Sequence, residues 1–220
     1  MFLPTPILAL LTLLPLTTSS PLTLSLFKRA TDLTLTSQND LTNGTPCKAL
    51  TIIFARGTVS PGNVGENVGP PFFQAVANIT GITNLAVQGV NYSADIFGFL
   101  AGGSASGSRT MAALVEQAFT QCPQTKVVMS GYSQGAQLVH NSAKLLSNAT
   151  AAKVSSVVMF GDPFNGTAVG NIPASKVVTY CHAGDNICEG GILVLAPHHT
   201  YGMDARAAAA FVIKQSGLSF

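Results

Sequence analysis

The sequence predicts a three-layer α/β/α sandwich around a mainly parallel sheet of about five strands. Three observations carry that expectation. Short, unbroken apolar runs, the mark of strands buried on both faces, recur along the chain. Segments with apolar residues at helical spacing lie between them, without repeats, long linkers or low-complexity blocks. Finally, an apolar run ending at Ser130 meets Gly131-Tyr132-Ser133-Gln134-Gly135 and passes at once into a helical pattern.

Taken in order, residues 1–20 carry no charge, hold an apolar run over 7–16 and end in Thr-Thr-Ser-Ser, which reads as a secretory signal peptide. Pro4, Pro6 and Pro15 break a run already too short for a membrane anchor. Lys28-Arg29 marks a dibasic processing site, so 21–30 is a possible propeptide and 31–220 a single domain. Residues 31–46 are polar and read as a surface lead-in. The run 49–55 is the first strand, ending in Arg56-Gly57-Thr58 and a Pro/Gly-rich loop through Pro71. A helix begins over 72–78, and 85–90 is the second strand. A loop with Phe97, Phe99 and Leu100 leads into a Gly/Ser stretch at 102–108.

Over 109–120, Met111, Leu114, Val115, Ala118 and Phe119 fall on one helical face. Strand 126–130 and helix 137–146 flank the Gly-x-Ser-x-Gly turn. Strand 154–160 ends in Gly161-Asp162-Pro163, 176–180 is the fifth strand, and an alanine-rich helix over 204–215 closes the chain.

Without Lys28 and Arg29 the chain has nine basic and nine acidic residues, and no basic stripe. That balance argues against nucleic acid or an anionic membrane as partner. Four cysteines in an exported chain suggest two disulfides, with three pairings open. Cys181 and Cys188 enclose a short loop and can meet, which would leave Cys47 to Cys122. No Cys-x-x-Cys or paired histidine sits at metal-ligand spacing. Sequons at Asn43, Asn78, Asn91, Asn148 and Asn165 fit a secreted glycoprotein.

Gly-x-Ser-x-Gly between strand and helix is the form of a nucleophile elbow, which lifts a serine hydroxyl clear of the sheet. A Cβ at Gly131 or Gly135 is expected to collide with the neighbouring strand or helix. Ser133 needs a histidine to take its proton and a carboxylate to orient that histidine. Elbow enzymes run nucleophile, acid, histidine along the chain, which favours His198 or His199 over His140 and His182. His140 is expected to face helix packing or solvent. Of the acids in the window, Asp162 suits a turn or cap. Asp185 sits in the Cys181–Cys188 loop, where a covalent tie would fix its geometry. The oxyanion would take the Gln134 N–H and a donor from the loop after an early strand, where Thr58 stands.

These pieces resemble the cutinase family over nearly all of 45–216. The resemblance rests on Phe54-Ala55-Arg56-Gly57-Thr58 with Pro61-Gly62-Asn63-Val64-Gly65, then Gly131-Tyr132-Ser133-Gln134-Gly135-Ala136. Cys181-His182-Ala183-Gly184-Asp185-Asn186-Ile187-Cys188 and His198-His199-Thr200-Tyr201-Gly202 complete it. It implies a minimal, lidless α/β-hydrolase acting as a serine esterase on cutin-like lipid polyesters. The implied triad is Ser133, Asp185 and His198, with Thr58 and Gln134 as the oxyanion hole. The implied disulfides are Cys47–Cys122 and Cys181–Cys188. Many members carry serine where this chain has Thr58, and the hydroxyl survives that change.

The broad family also includes acetylxylan esterases, and a non-catalytic wall-binding protein is the alternative of another class. Residues 31–220 leave no length for a cap domain, so the serine is expected to be open to solvent. Leu100, Leu193, Val194 and Leu195, with Ile192, Phe97 and Phe99, are expected as an apolar rim for acyl chains, the bland alternative being that half of them are core. No metal or organic cofactor is expected. The protein is expected to be a secreted, extracellular monomer without a transmembrane anchor.

Overall fold

A computed structural model describes residues 1–2 and 32–220. The expected signal peptide (1–20) and propeptide (21–30), Met1 and Phe2 aside, lie outside the described residues. The described residues from 32 to 220 form one compact unit.

The strands are β1 (Leu50–Ala55), β2 (Leu85–Gly89), β3 (Lys126–Tyr132), β4 (Ser156–Phe160) and β5 (Val177–Tyr180). They form one sheet in the order β2-β1-β3-β4-β5, and every pairing is parallel. Every residue of β1, β2 and β4 is buried, which is why these segments read as unbroken apolar runs.

The helices are α1 (Gly69–Thr80), α2 (Ile96–Leu100), α3 (Ala105–Gln121), α4 (Gln134–Leu145), α5 (Asn148–Lys153) and α6 (Ala205–Ser216). Strand alternation divides the core into two layers. Ile52 and Phe54 of β1 join Phe72, Phe73 and Val76 of α1 and Ala208, Ala209 and Val212 of α6. Ile53 and Ala55 join Met111 and Val115 of α3 and Leu138 and Val139 of α4. The sandwich therefore has α1 and α6 on one face and α3 and α4 on the other.

Side-chain caps explain where helices depart from the sequence reading. The expected loop around Phe97 is helix α2, started by Asp95, whose Oδ1 accepts from Gly98 N at 2.6 Å. Helix α3 extends back into the Gly/Ser stretch because Ser104 Oγ accepts from Gly107 N at 3.2 Å. Helix α5, unforeseen, is capped by Ser147 Oγ, which accepts from Thr150 N at 3.1 Å. Helix α1 opens three residues earlier than expected, with proline in its first turn, where a missing N–H costs nothing.

The lead-in is more than a surface segment. Leu33 and Leu41 are buried, and the chain runs along the free edge of β2: Gly89 N donates to Gln38 O and Val87 N to Asp40 Oδ2. This satisfies edge groups that would otherwise invite pairing with another chain.

Disulfide Cys47–Cys122 joins the segment before β1 to the end of α3 across 75 residues. Closing so long a loop in the unfolded chain is worth roughly 4 kcal/mol in the chain-entropy picture. Replacing Cys47 and Cys122 by serine is expected to lower the unfolding free energy by about 2–4 kcal/mol in a urea titration followed by circular dichroism.

Candidate active site

Strands β1 and β3 are neighbours, and the chain order reverses around them, β2 lying on one side and β4 on the other. In open α/β sheets the crevice outside the strand ends at such a point is where ligands bind. Thr58 follows β1 and Ser133 follows β3.

Ser133 holds φ 56° and ψ −122°, a conformation uncommon for a residue with a side chain. Its N–H donates to Phe160 O at 2.9 Å, tying the turn to β4. A Cβ on Gly131 would run into the Gly135 carbonyl, and one on Gly135 into the Ala55 carbonyl. Only glycines let α4 start this close to the sheet. Ser133 retains 6% exposure and lies in the wall of a cavity of about 460 Å³.

His198 lines the same cavity from a single turn of 3-10 helix, Ala196–His199. Its Nδ1 lies 2.8 Å from Asp185 Oδ2, and both residues are buried. A carboxylate can only accept, so Nδ1 carries the proton and Nε2 presents its lone pair. Nε2 is buried and has no hydrogen-bond partner. The ring stacks on Tyr132, with centroids 5.1 Å apart, and Tyr132 Oη donates to His198 O at 2.8 Å. On its other side Gly161 (φ 55°) leaves the room: a Cβ there would lie 2.7 Å from His198 Cε1.

Asp185 sits in the loop closed by Cys181–Cys188. Its Oδ1 accepts from Ile187 N at 3.0 Å, and Oδ2 accepts from Tyr201 Oη at 2.5 Å as well as from His198. Burial alone would raise the carboxyl's pKa; the hydrogen bonds from His198 and Tyr201 outweigh it and hold Asp185 below the usual carboxylate range. For His198, burial dominates over the attraction of Asp185 and depresses the imidazole.

The Gln134 backbone N–H opens α4, where first-turn N–H groups have no intrahelical acceptor. Its side chain is also placed: Nε2 donates to Thr58 Oγ1 at 2.9 Å and to Asp95 O at 2.8 Å. Thr58 Oγ1, having accepted that bond, has its own proton free for the cavity it lines.

The other acid and histidines have different partners. Asp162, at the end of β4, accepts from Phe164 N at 2.9 Å, the turn role expected of it. Its second oxygen meets His140 Nε2 at 2.8 Å. His140 is therefore not solvent-facing but fully buried and paired. His182 Nε2 meets Asp204 Oδ2 at 2.8 Å, and exposed His199 lines the cavity beside His198.

The expected rim is only partly at the cavity. Ile192 and Val194 line it, as do Ile96 and Phe99, which stand one turn apart on α2. Leu100, Leu193 and Leu195 do not line it; they are exposed on the surrounding surface, and none of 192–195 is core. Side chains alternate along 192–195, so half of them face away from the cavity.

The parallel sheet, the strained serine turn and the buried Asp–His pair beside it define an α/β-hydrolase of the serine esterase class. The chain belongs to the Cutinase family, whose family model matches residues 46–216. It is 55% identical over 172 residues to the cutinase of Botryotinia fuckeliana, an alignment covering 78% of this chain and 85% of that one. The solved Trichoderma reesei cutinase in complex with a phosphonate inhibitor is 46% identical, with TM-score 0.78 over 83% of this chain and 81% of that one. The catalytic core domain of a Trichoderma reesei acetyl xylan esterase is more distant, 25% identical with TM-score 0.58 over 77% of this chain and 99% of that one.

A histidine base works only when neutral, and burial depresses His198. The acid limb of the pH–rate profile is therefore expected below the ordinary imidazole value of about 6.5. Initial rates on a short p-nitrophenyl ester between pH 4 and 9 check this.

Proposed function

We propose that this protein is a secreted esterase that cleaves cutin-like lipid polyesters through an acyl-enzyme on Ser133. The observation that carries this reading is the unpartnered Nε2 of His198, whose ring Asp185 holds through Nδ1, buried at the cavity that Ser133 also lines. Ser133 Oγ attacks the ester carbonyl as His198 Nε2 takes its proton, and Asp185 stabilises the imidazolium. The tetrahedral oxyanion is held by the Gln134 N–H and by Thr58. Collapse breaks the ester C–O bond, and the imidazolium returns the proton to the leaving alcohol. Water then attacks the acyl-serine by the same route and releases the acid.

Cutin as substrate is supported by relatives that are themselves named cutinases and by the apolar side chains at the cavity. Ile96, Phe99, Ile192 and Val194 suit an acyl chain, and exposed Phe97, Leu100, Leu193 and Leu195 suit contact with a water-insoluble polymer. Export is supported by the N-terminal sequence and by two disulfides. Among the described residues no helix is long and apolar enough to cross a membrane. A cavity complete within one chain is compatible with action as a monomer.

Ser133→Ala is expected to lower kcat on p-nitrophenyl butyrate by about 10⁶-fold with an unchanged circular dichroism spectrum. A panel of cutin, long-chain esters and acetylated xylan tests the substrate. Preference for acetylated xylan would move the assignment to acetylxylan esterase, and no turnover on any of them would sink the esterase reading. Asp185→Asn is expected to lower kcat by about 10⁴-fold, since an amide can set the wrong imidazole tautomer. Asp162→Asn, which touches His140 rather than His198, is expected to cost less than tenfold per active site while lowering Tm by a few degrees.

A further inference from the structure

Tyr201 follows His198 by three residues, in the turn Tyr201–Asp204, and is completely buried. Its hydroxyl meets a carboxylate oxygen of Asp185 at 2.5 Å and the backbone N–H of His182 at 3.0 Å. An N–H can only donate, so the hydroxyl must accept from His182 and point its one proton at Asp185. The oxygen it reaches, Oδ2, is the one that also accepts from His198 Nδ1.

The ring is fixed on several sides. It stacks on His182 with centroids 4.3 Å apart and stands edge-on to His198 at 6.0 Å. His182 is in turn held by Thr200 Oγ1 at 2.7 Å and Asp204 Oδ2 at 2.8 Å. The Cys188 Sγ lies 3.4 Å from the same hydroxyl, so the disulfide that closes the Asp185 loop packs against it.

Resting on the esterase reading above, we propose that Tyr201 is a positioning residue that sets both the orientation of Asp185 and the proton affinity of His198. The donated hydrogen bond draws charge from Oδ2 and fixes the carboxylate plane. Without it Oδ2 becomes a stronger acceptor for a protonated imidazole, and the imidazolium is favoured. The proton that His198 takes from Ser133 would then be held more tightly, and the base would be lost to protonation at a higher pH. Other titratable groups near this unit are Tyr132, stacked on His198, His182 with its partner Asp204, and His199 beside His198. Burial raises the Tyr201 and Tyr132 phenols, so both stay protonated donors throughout the working range.

The test is Tyr201→Phe, which removes one oxygen and keeps the ring. Active sites are counted by titration with a p-nitrophenyl phosphonate, so a poorly folded fraction lowers the titre and not the rate per site. The expected result is a kcat about tenfold lower with KM within about twofold, the scale for losing an orienting partner. The acid limb of kcat/KM moves up by roughly half a unit to one unit. An unmoved limb or an unchanged kcat overturns the role. Site-specific 3-fluorotyrosine at 201, a stronger donor on the same ring, is expected to move the limb the other way, and the same direction as phenylalanine would also overturn it. If wild-type Ser133 does not take the phosphonate, the esterase reading fails; normal labelling with an unmoved limb rejects only the part given to Tyr201.

Discussion

Helix α4 starts almost in contact with the sheet, and much of the site follows from that approach. Gly135 leaves only enough room for a hydrogen toward the Ala55 carbonyl of β1, and Gly131 toward the Gly135 carbonyl. The chain must therefore turn from β3 into α4 without a spacer, and Ser133 absorbs the turn with a positive φ. Such strain persists only where the surroundings over-determine it. Here they are buried strands on both sides of β3 and the bond from Ser133 N to Phe160 O. The same turn puts the first N–H groups of a twelve-residue helix beside the serine.

A second constraint is the buried carboxylate of Asp185. An isolated charge in such a place would neutralise, and burial alone would push its pKa up. Three donors prevent this: the Ile187 N–H, Tyr201 and His198. The loop that brings them together is closed by Cys181–Cys188, so the carboxylate's environment and its position come from one device. The arrangement fixes the His198 tautomer while burial keeps the imidazole neutral. A carboxylate kept charged and an imidazole kept neutral are the starting state that general-base chemistry needs.

The layers and the elbow were legible because they are written in local patterns. Strands buried on both faces leave no polar alternation, and two glycines around a serine leave few other backbone solutions. The Asp185 loop was legible through its flanking cysteines. Features made by caps or by distant chain segments were harder to read. Asp95 before an apolar stretch is the one local signal for α2, and five residues carry too little periodicity to show a helix. The cover on β2 depends on Gln38 and Asp40 meeting a strand about fifty residues on. The cavity wall around Ser133 is built by side chains from separate segments, among them Val59 after β1, Phe99 of α2 and Val194. Half of the apolar segment 192–195 faces away from the cavity, and composition does not reveal that phase.

Among the described residues three histidines are each paired with an aspartate at 2.8 Å: His140 with Asp162, His182 with Asp204 and His198 with Asp185. Pairing alone does not make a base, because the second ring nitrogen must be free to accept a proton. In His140 that nitrogen is contacted at 3.4 Å by Ala168 O and Thr167 Oγ1, and in His182 it meets Thr200 Oγ1 at 2.7 Å. Only in His198 does the second nitrogen lack a partner while the residue lines the cavity that holds Ser133. The other two pairs tie segments together, α4 to the turn after β4 and the disulfide loop to the start of α6. A search by residue type finds three alike; the nitrogen left unpaired separates the one suited to chemistry from the two that serve as braces.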